Sequence, residues 1–525
     1  MKKIFLFAAV AVSALFSSCE MELLPEGAIK QEEAIVNPVN ARYFRNGLYN
    51  SFRGLCMGAL NNYTEVQMDN FQALAPVYGN NLGNIFKGDF TSATGDFAGA
   101  FSLFYSNIAS VNFYLPRLEE LIESEDWTDS DHMKMIRYRG EAYFFRAYNY
   151  FMLTQFFCQD YSEANKDVPA MGVPLVTEYN PTTDRSVYPG RSTLGETYKL
   201  ILEDLTNAKN DLLAAEASMS NRDNDYLEMM HSGSPYVNSW VVEALSARIA
   251  LAMGKKEEAA THADNVINSG LYSLGTSQQF VNMWKVSPGS FGDPDTRNPE
   301  IIMMAMVTKS EAQSMGQTNS LWWSYNTTNS MYVPANSTLN LYSNSDYRKQ
   351  IWFEEQFLEL NGTYLSVNIF TKFIGLNEFA DKSASRGCMI MYPFRLAEMY
   401  LILAECSSSN TVRNNALKAV REARGITSRN YPDDRLDAQV KLERRRELIG
   451  EGFRLNDLRR YGEGFTRDNS VSVPNFPLDN FNTLYFVQGA SDLSYEPDDH
   501  RFVWPIPSTE IQVNPQIVGQ QNPGY

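Results

Sequence analysis

The stretch HMKMIRYRGEAYFFRAYNYFMLTQFF (His132 to Phe157) contains no proline and carries a continuous apolar and aromatic face. That pattern predicts a long helix buried along much of its circumference. The stretch NSWVVEALSARIALAMGKKEEAATHADNVINSG (Asn238 to Gly270) reads as two helices joined at Gly254 and stopped at Gly270. In it Ala244, Ala247 and Leu251, then Ala259 and Ala263, recur at three- and four-residue steps. FRLAEMYLILAECSSSNTVRNNALKAVREARGI (Phe394 to Ile426) repeats the plan, with a break at Ser407 to Ser409 and a stop at Gly425. Small alanines at the crossing points let paired helices approach closely. The fold class is therefore mainly α, with helices arranged at least in part as pairs.

Such helix–turn–helix units resemble tetratricopeptide repeats, although long inserts separate them here. Generic helix packing produces the same period, and periodicity alone leaves the two readings level. The inserts, Tyr161 to Arg191 and Ser287 to Tyr392, are rich in Pro, Gly, Asn, Ser and aromatics. They read as loops with short strands mounted on a helical scaffold.

Composition narrows the function classes. The 525 residues are 44% hydrophobic and 20% charged, which is the profile of a folding globular chain. The formal charge of −17 argues against a nucleic-acid partner, since phosphate binding draws on clustered Lys and Arg. The four histidines show neither HExxH nor HxxxH spacing, so no zinc site is expected; no cofactor is assigned, and an ion held elsewhere stays an open alternative. Cys56, Cys158, Cys388 and Cys406 are too scattered for a disulfide-built scaffold and read as buried free thiols, with one chance pair as the alternative. DPDTRNPE (Asp293 to Glu300) fails as a calcium loop, because Arg297 stands at the fifth position and Asn298 replaces the turn glycine.

The amino terminus carries an address. Lys2 and Lys3 precede an apolar run from Ile4 to Phe16, and Ser17-Ser18 leads to Cys19. A cationic start, a short apolar segment and small residues form a secretory signal, here residues 1–18. The run is shorter than the about 20 apolar residues a membrane span takes. An ordinary secretory signal with an incidental cysteine is one reading. The other rests on resemblance to a bacterial lipobox, with Phe16 and Ser18 standing where Leu and Gly or Ala are commoner. That resemblance implies that Cys19 becomes the lipidated first residue of a mature domain spanning 19–525. Several acyl chains on one cysteine would give stable anchoring.

Seven stretches in order resemble the SusD/RagB family of outer-membrane nutrient-binding lipoproteins. They are FAGAFSLFYSNIASVNFYLPRLEEL (Phe97 to Leu121), RGEAYFFRAYNYFMLTQFF (Arg139 to Phe157), GVPLVTEYNP (Gly172 to Pro181), ALSARIALAMGKKEEAATHADNVINSGLYSL (Ala244 to Leu274), YPFRLAEMYLILAEC (Tyr392 to Cys406), ERRRELIGEGFRLNDLRRYG (Glu443 to Gly462) and FVWPIPSTEIQVNPQI (Phe502 to Ile517). The resemblance implies four tetratricopeptide-like units, an outer-membrane lipid anchor and a surface-exposed position. It also implies a SusC-type TonB-dependent transporter as partner and an oligosaccharide or other nutrient as ligand. Glu20, Glu22 and Glu26 resemble the family's surface-export signal.

A sugar offers an apolar C–H face and a polar hydroxyl rim, so a site needs aromatic planes flanked by amides or charged groups. NSLWWSYNTTNSMY (Asn319 to Tyr332) supplies Trp322, Trp323 and Tyr325 among asparagines and serines. One tryptophan in the core and the other plugging the scaffold is an equally weighted reading. The resemblance implies further contacts from MDNFQALAPVYGNNLGNIFKGDF (Met68 to Phe90), where Asp69, Asn70, Phe71, Tyr78 and Asn81 are candidates. The run Arg444-Arg445-Arg446 alternates with Glu443, Glu447, Glu451 and Asp457, which reads as a salt-bridged helix face before a polyanion patch. Hydrolysis has no positive signal: neither a G-x-S-x-G elbow nor a phosphate loop is present. The expectation is a capture protein and no enzyme, with a purely protein-docking surface lipoprotein as the alternative and a glycoside hydrolase behind it.

Overall fold

The computed structural model describes residues 30–57, 59–75, 82–219, 229–285, 298–306, 330–373, 391–473, 476, 480, 484–487 and 490–525. The helix expected over 132–157 runs from Asp129 to Phe157. Thr128 caps its start by accepting a hydrogen bond from the Asp131 N–H at 3.2 Å, and two aspartates occupy the first turn, where the helix dipole favours them. It is the centre of the amino-terminal half, because its neighbours cover it on several sides. They are α1 (Pro38–Cys56), α3 (Gly95–Glu123) and α5 (Leu194–Ser218), with α2 (Ala59–Gln67) following α1 and the central helix as α4. A reciprocal capping box, Thr193 with Glu196, starts α5.

From α5 the packing passes through α6 (Ser239–Ala252), α7 (Lys256–Ile267), α9 (Leu396–Cys406), α10 (Asn410–Ala423) and α11 (Asp433–Glu447), each against the last or against α9; α8 (Ser277–Lys285) packs against the short helix Tyr347–Trp352, and α12 (Arg454–Tyr461) against α2. The breaks fall where the sequence puts them. Gly254 and Gly425 adopt φ of 70° and 78°, a region that glycine enters without steric cost. Ser409 accepts from the Val412 N–H and starts α10. Ala244, Ala247, Ala259 and Ala263 are all buried between helices, as close approach requires. α7 ends at Ile267, before the expected stop at Gly270.

Among the described residues the first insert carries one 3-10 turn, Arg185–Val187, and is tied down by a bridge between Pro174 and Arg191. The second holds short strands: β2 (Ile301–Ala305), β3 (Tyr332–Pro334), β4 (Phe353–Leu360) and β5 (Thr363–Phe370). β1 (Phe71–Ala73) pairs with β3, and β6 (Met391–Arg395) pairs with β2. β4 and β5 form a regular hairpin, closed by Asn361 and Gly362 at φ 51° and 77°. Two successive positive φ values make the type I′ turn whose twist matches paired strands. This hairpin lies within the insert that the sequence marks as loops with short strands, and Asn361-Gly362 is its local turn signal.

The arginine-rich helix departs most from expectation. The pairing is as expected, but Glu443, Arg444 and Glu447 are interior groups and do not form a solvated face. Glu447 accepts from Arg348 at 2.9 Å, Arg395 at 2.8 Å and Arg424 at 2.9 and 3.0 Å. Glu443 accepts from Arg421 at 2.9 Å and pairs with Arg348 at 2.7 Å. Glu300 and Asp346 complete the acidic set, bonding Arg395 and Arg424, and Arg348, respectively. Lys372 donates to the Glu447 and Ile449 carbonyls and to Glu451. A buried charge persists only when paired in this way. A smaller copy lies in the other half, where Glu141 binds both Arg45 and Arg137 and the Arg45 guanidinium faces the rings of Tyr138 and Tyr236. Apart from Arg348–Asp346 and Arg137–Glu141, these pairs join segments remote in sequence and lock the scaffold.

Cys56, Cys158 and Cys406 are buried free thiols; Cys388 and Cys19 lie outside the described residues. No described helix is long and apolar enough to cross a membrane. Among the described residues no group of three or more His, Cys, Asp or Glu is placed to hold a metal ion.

Candidate ligand-binding edge

β1 lies between two other extended segments. On one side it runs antiparallel to β3, with Phe71 opposite Pro334 and Ala73 opposite Tyr332, and the Leu74 N–H donates to the Met331 carbonyl at 2.8 Å. On the other side the Ala75 N–H donates to the Tyr485 carbonyl at 2.7 Å, and the Val487 N–H donates to the Ala73 carbonyl at 3.1 Å. The antiparallel register has a consequence for the two stretches singled out in sequence. The chain leaves β1 at Ala75 toward residues 76–81 from the same end at which it arrives from residues 307–329 at Ser330. Tyr78, Asn81, Trp322, Trp323 and Tyr325 lie outside the described residues, yet both stretches are tethered to one end of one small sheet.

Three other candidates take a different role from the one expected. Asp69, Asn70 and Phe71 are buried. The Asp69 carboxylate accepts from Arg454 at 2.9 and 2.8 Å and pairs with Arg445 at 3.1 Å. Burial alone would raise its pKa, but the two guanidinium groups hold it well below the usual carboxylate range. The Asn70 side-chain oxygen accepts from Arg445 at 2.9 Å, while its main-chain carbonyl accepts from Ala335 and Thr338. Phe71 packs edge-on against Phe370 with ring centroids 5.1 Å apart. Their polar and aromatic groups are spent on fixing the start of β1 to α11, α12 and β5. A polar pair beside a Phe has the same appearance in sequence whether it faces ligand or protein.

Sequence reasoning missed Arg467, which holds the edge from behind. It is buried, and its guanidinium donates to five main-chain carbonyls: Val66, Gln67, Met68, Phe86 and Ala490. Val66 and Gln67 close α2, so Arg467 caps carbonyls that have no partner within the helix, at its negative end. Burial lowers its pKa to about 10, and a solitary arginine in a polar stretch gave no signal of this.

Glu65 joins this support through Asn70. Burial raises its pKa to about 7, against hydrogen bonds from the Gly452 N–H at 3.1 Å and Asn70 at 3.4 Å. Between about pH 4.5 and 7 the folded state therefore holds a proton that the unfolded chain has released. The contribution of this group to stability falls as pH rises through that window and levels off above it, by about 3 kcal/mol in all. Glu65→Gln is expected to remove that component. Urea midpoints at pH 5 and pH 8 check it: parallel shifts in the wild type and the variant would exclude Glu65 as the source.

Comparison with known proteins follows the same lines. A family model described as the SusD family matches residues 251–525, slightly more than half of the chain. The chain belongs to the SusD family. A second model, described as starch-binding and associating with the outer membrane, matches residues 46–224. No curated protein matches the chain. Among solved structures, a SusD superfamily protein from Bacteroides thetaiotaomicron superposes with a TM-score of 0.71 at 23% identity, covering 93% of this chain and 100% of that one. A SusD-like carbohydrate binding protein from Bacteroides vulgatus gives 0.67 at 18% identity, over 92% and 98%. A laminarin binding SusD-like protein gives 0.64 at 21% identity, over 93% and 100%. At these identities the structures establish a shared fold. The SusD-family scaffold is the helical row described above, and the β1 edge is a feature mounted on it.

Proposed function

We propose that this SusD-family chain is a cell-surface lipoprotein, anchored through Cys19, that captures an oligo- or polysaccharide for a SusC-type transporter. The observation that carries the reading is the shared end of the β1–β3 sheet. Two stretches rich in aromatic and amide side chains join the sheet at that end, while Arg445, Arg454 and Arg467 bind the residues that lead into β1 at its other end. Trp322, Trp323, Tyr325 and Tyr78 would supply planes for the C–H faces of sugar rings, and Asn81 a hydrogen-bonding group for hydroxyls. Family membership supports the choice of ligand, as do the starch-binding description of the second matching model and the carbohydrate and laminarin binding named for two structural neighbours. Capture for onward transfer calls for modest affinity, about −4 to −8 kcal/mol, and breaks no bond.

The test is calorimetric titration of the soluble form, starting after Cys19, with soluble starch, laminarin and a panel of other polysaccharides. Saturable binding, with the chain length of the polysaccharide unchanged afterwards, is the expected outcome. Trp322→Ala and Trp323→Ala are each expected to weaken binding about tenfold, roughly 1.4 kcal/mol. Unchanged titrations with both variants would remove these tryptophans from the site, and shortened polysaccharide would replace capture by hydrolysis.

A further inference from the structure

The β4–β5 hairpin has two faces of opposite character. Leu358, Leu360, Leu365, Val367 and Ile369 point inward and are buried. On the other face the register places Phe353 opposite Phe370, both buried at the base, then Glu355 opposite Asn368, Phe357 opposite Ser366 and Glu359 opposite Tyr364 toward the turn. Phe357 is 65% exposed and Tyr364 62% exposed. Alternation puts both on the face whose base is buried by Phe353 and Phe370, but nearer the turn that face is open and the two rings are left in solvent. They are diagonal neighbours in the register, a spacing of about 7–8 Å that lets the two rings serve successive sugar units. The Tyr364 hydroxyl donates to Glu359 at 3.0 Å and Ser366 donates to Glu355, which orients the rim. Each carboxylate keeps further acceptor capacity.

We propose that this face is an auxiliary glycan subsite that takes a neutral, hydroxyl-bearing stretch of polysaccharide, separate from the β1 edge. Two exposed rings offer stacking for C–H faces, while Glu355, Glu359 and Asn368 accept or exchange hydrogen bonds with hydroxyls. The two carboxylates repel uronic or sulfated chains, which fixes the ligand class as neutral. The platform is rigid: all eight residue pairs are in register and the turn is type I′. Its root is shared with the β1 edge, because Phe370 of β5 packs on Phe71 of β1 and the Asn368 N–H donates to the Ser472 carbonyl. A long chain held at the edge therefore has a second point of contact, and the gain is one of avidity.

The inference rests on the glycan-capture reading, and its test separates the two. Affinity electrophoresis in gels containing soluble starch, laminarin, xylan or galactomannan, with polygalacturonate as the acidic control, compares wild type with Phe357→Thr/Tyr364→Thr. Threonine keeps the strand propensity and both sites are exposed, so the thermal midpoint should not move. The expected result is about tenfold weaker retention of the variant by the neutral polysaccharide that retards wild type, with equal binding of its trisaccharide. Equal retention of both proteins by the polysaccharide overturns the subsite, as does a wild type retarded by polygalacturonate alone. A wild type retarded by no gel overturns the capture reading itself.

Discussion

Glu447→Ala is expected to remove about 4 kcal/mol or more of stability, enough to leave little folded protein. The carboxylate accepts from Arg348, Arg395 and Arg424, and none of these guanidinium groups reaches solvent. Deleting it strands buried positive charge, which costs about 3–5 kcal/mol where a single partner is lost. Glu447→Gln keeps the shape and should lose somewhat less. The control is Glu422→Ala on α10, whose partner Lys418 is 3.7 Å away at the surface, and whose loss should cost under about 0.5 kcal/mol. Urea unfolding of the three variants measures the contrast. Similar losses at Glu447 and Glu422 would mean that the interior network is already solvated. The same groups set the acid limit. Burial would raise the pKa of Glu443, but Arg348, Arg421 and Arg446 hold it down at about 2. A depressed folded pKa means the stabilisation is complete above the unfolded value near 4.5 and is lost as pH falls toward 2.

Arg467→Ala is the second large effect, expected at about 4 kcal/mol with a local signature. Five carbonyls lose a charged donor at once, and each buried acceptor left unpaired costs about 1–3 kcal/mol before relaxation and water entry reduce the sum. Arg467→Lys keeps the charge, but its three donors cannot reproduce a planar fork serving five acceptors, so rescue should be under half. The contacted residues include the last turn of α2 and Ala490, close to the segment 485–487 that lines β1. Hydrogen exchange should therefore rise at Leu74 and Val487 more than in α4 in any variant that still folds. Uniform loosening would mean that Arg467 contributes only global stability.

The helical row was largely legible from residue order, because helix formation is local. Proline-free apolar periodicity predicted α4, and glycine or serine breaks predicted the turns at Gly254, Ser407 to Ser409 and Gly425. The thiols at Cys56, Cys158 and Cys406 also followed from their scatter. The Asn361-Gly362 turn was equally local and could have been read as a hairpin. These features need only neighbours within a few positions, so the sequence by itself determines them.

The destination of each polar group was decided by tertiary structure. Arg444 to Arg446 and their glutamates have the periodicity of a solvated face, yet the partners that bury them, such as Glu300 and Arg348, come from distant segments. Asp69, Asn70 and Phe71 have the composition of a binding loop, but Arg445, Arg454 and Phe370 claim them for the interior. Phe357 shows the opposite case, a core-type side chain that register turns outward. Burying a charge or exposing a ring is settled by free energies of contacts between segments, and no window of sequence contains both members of those contacts.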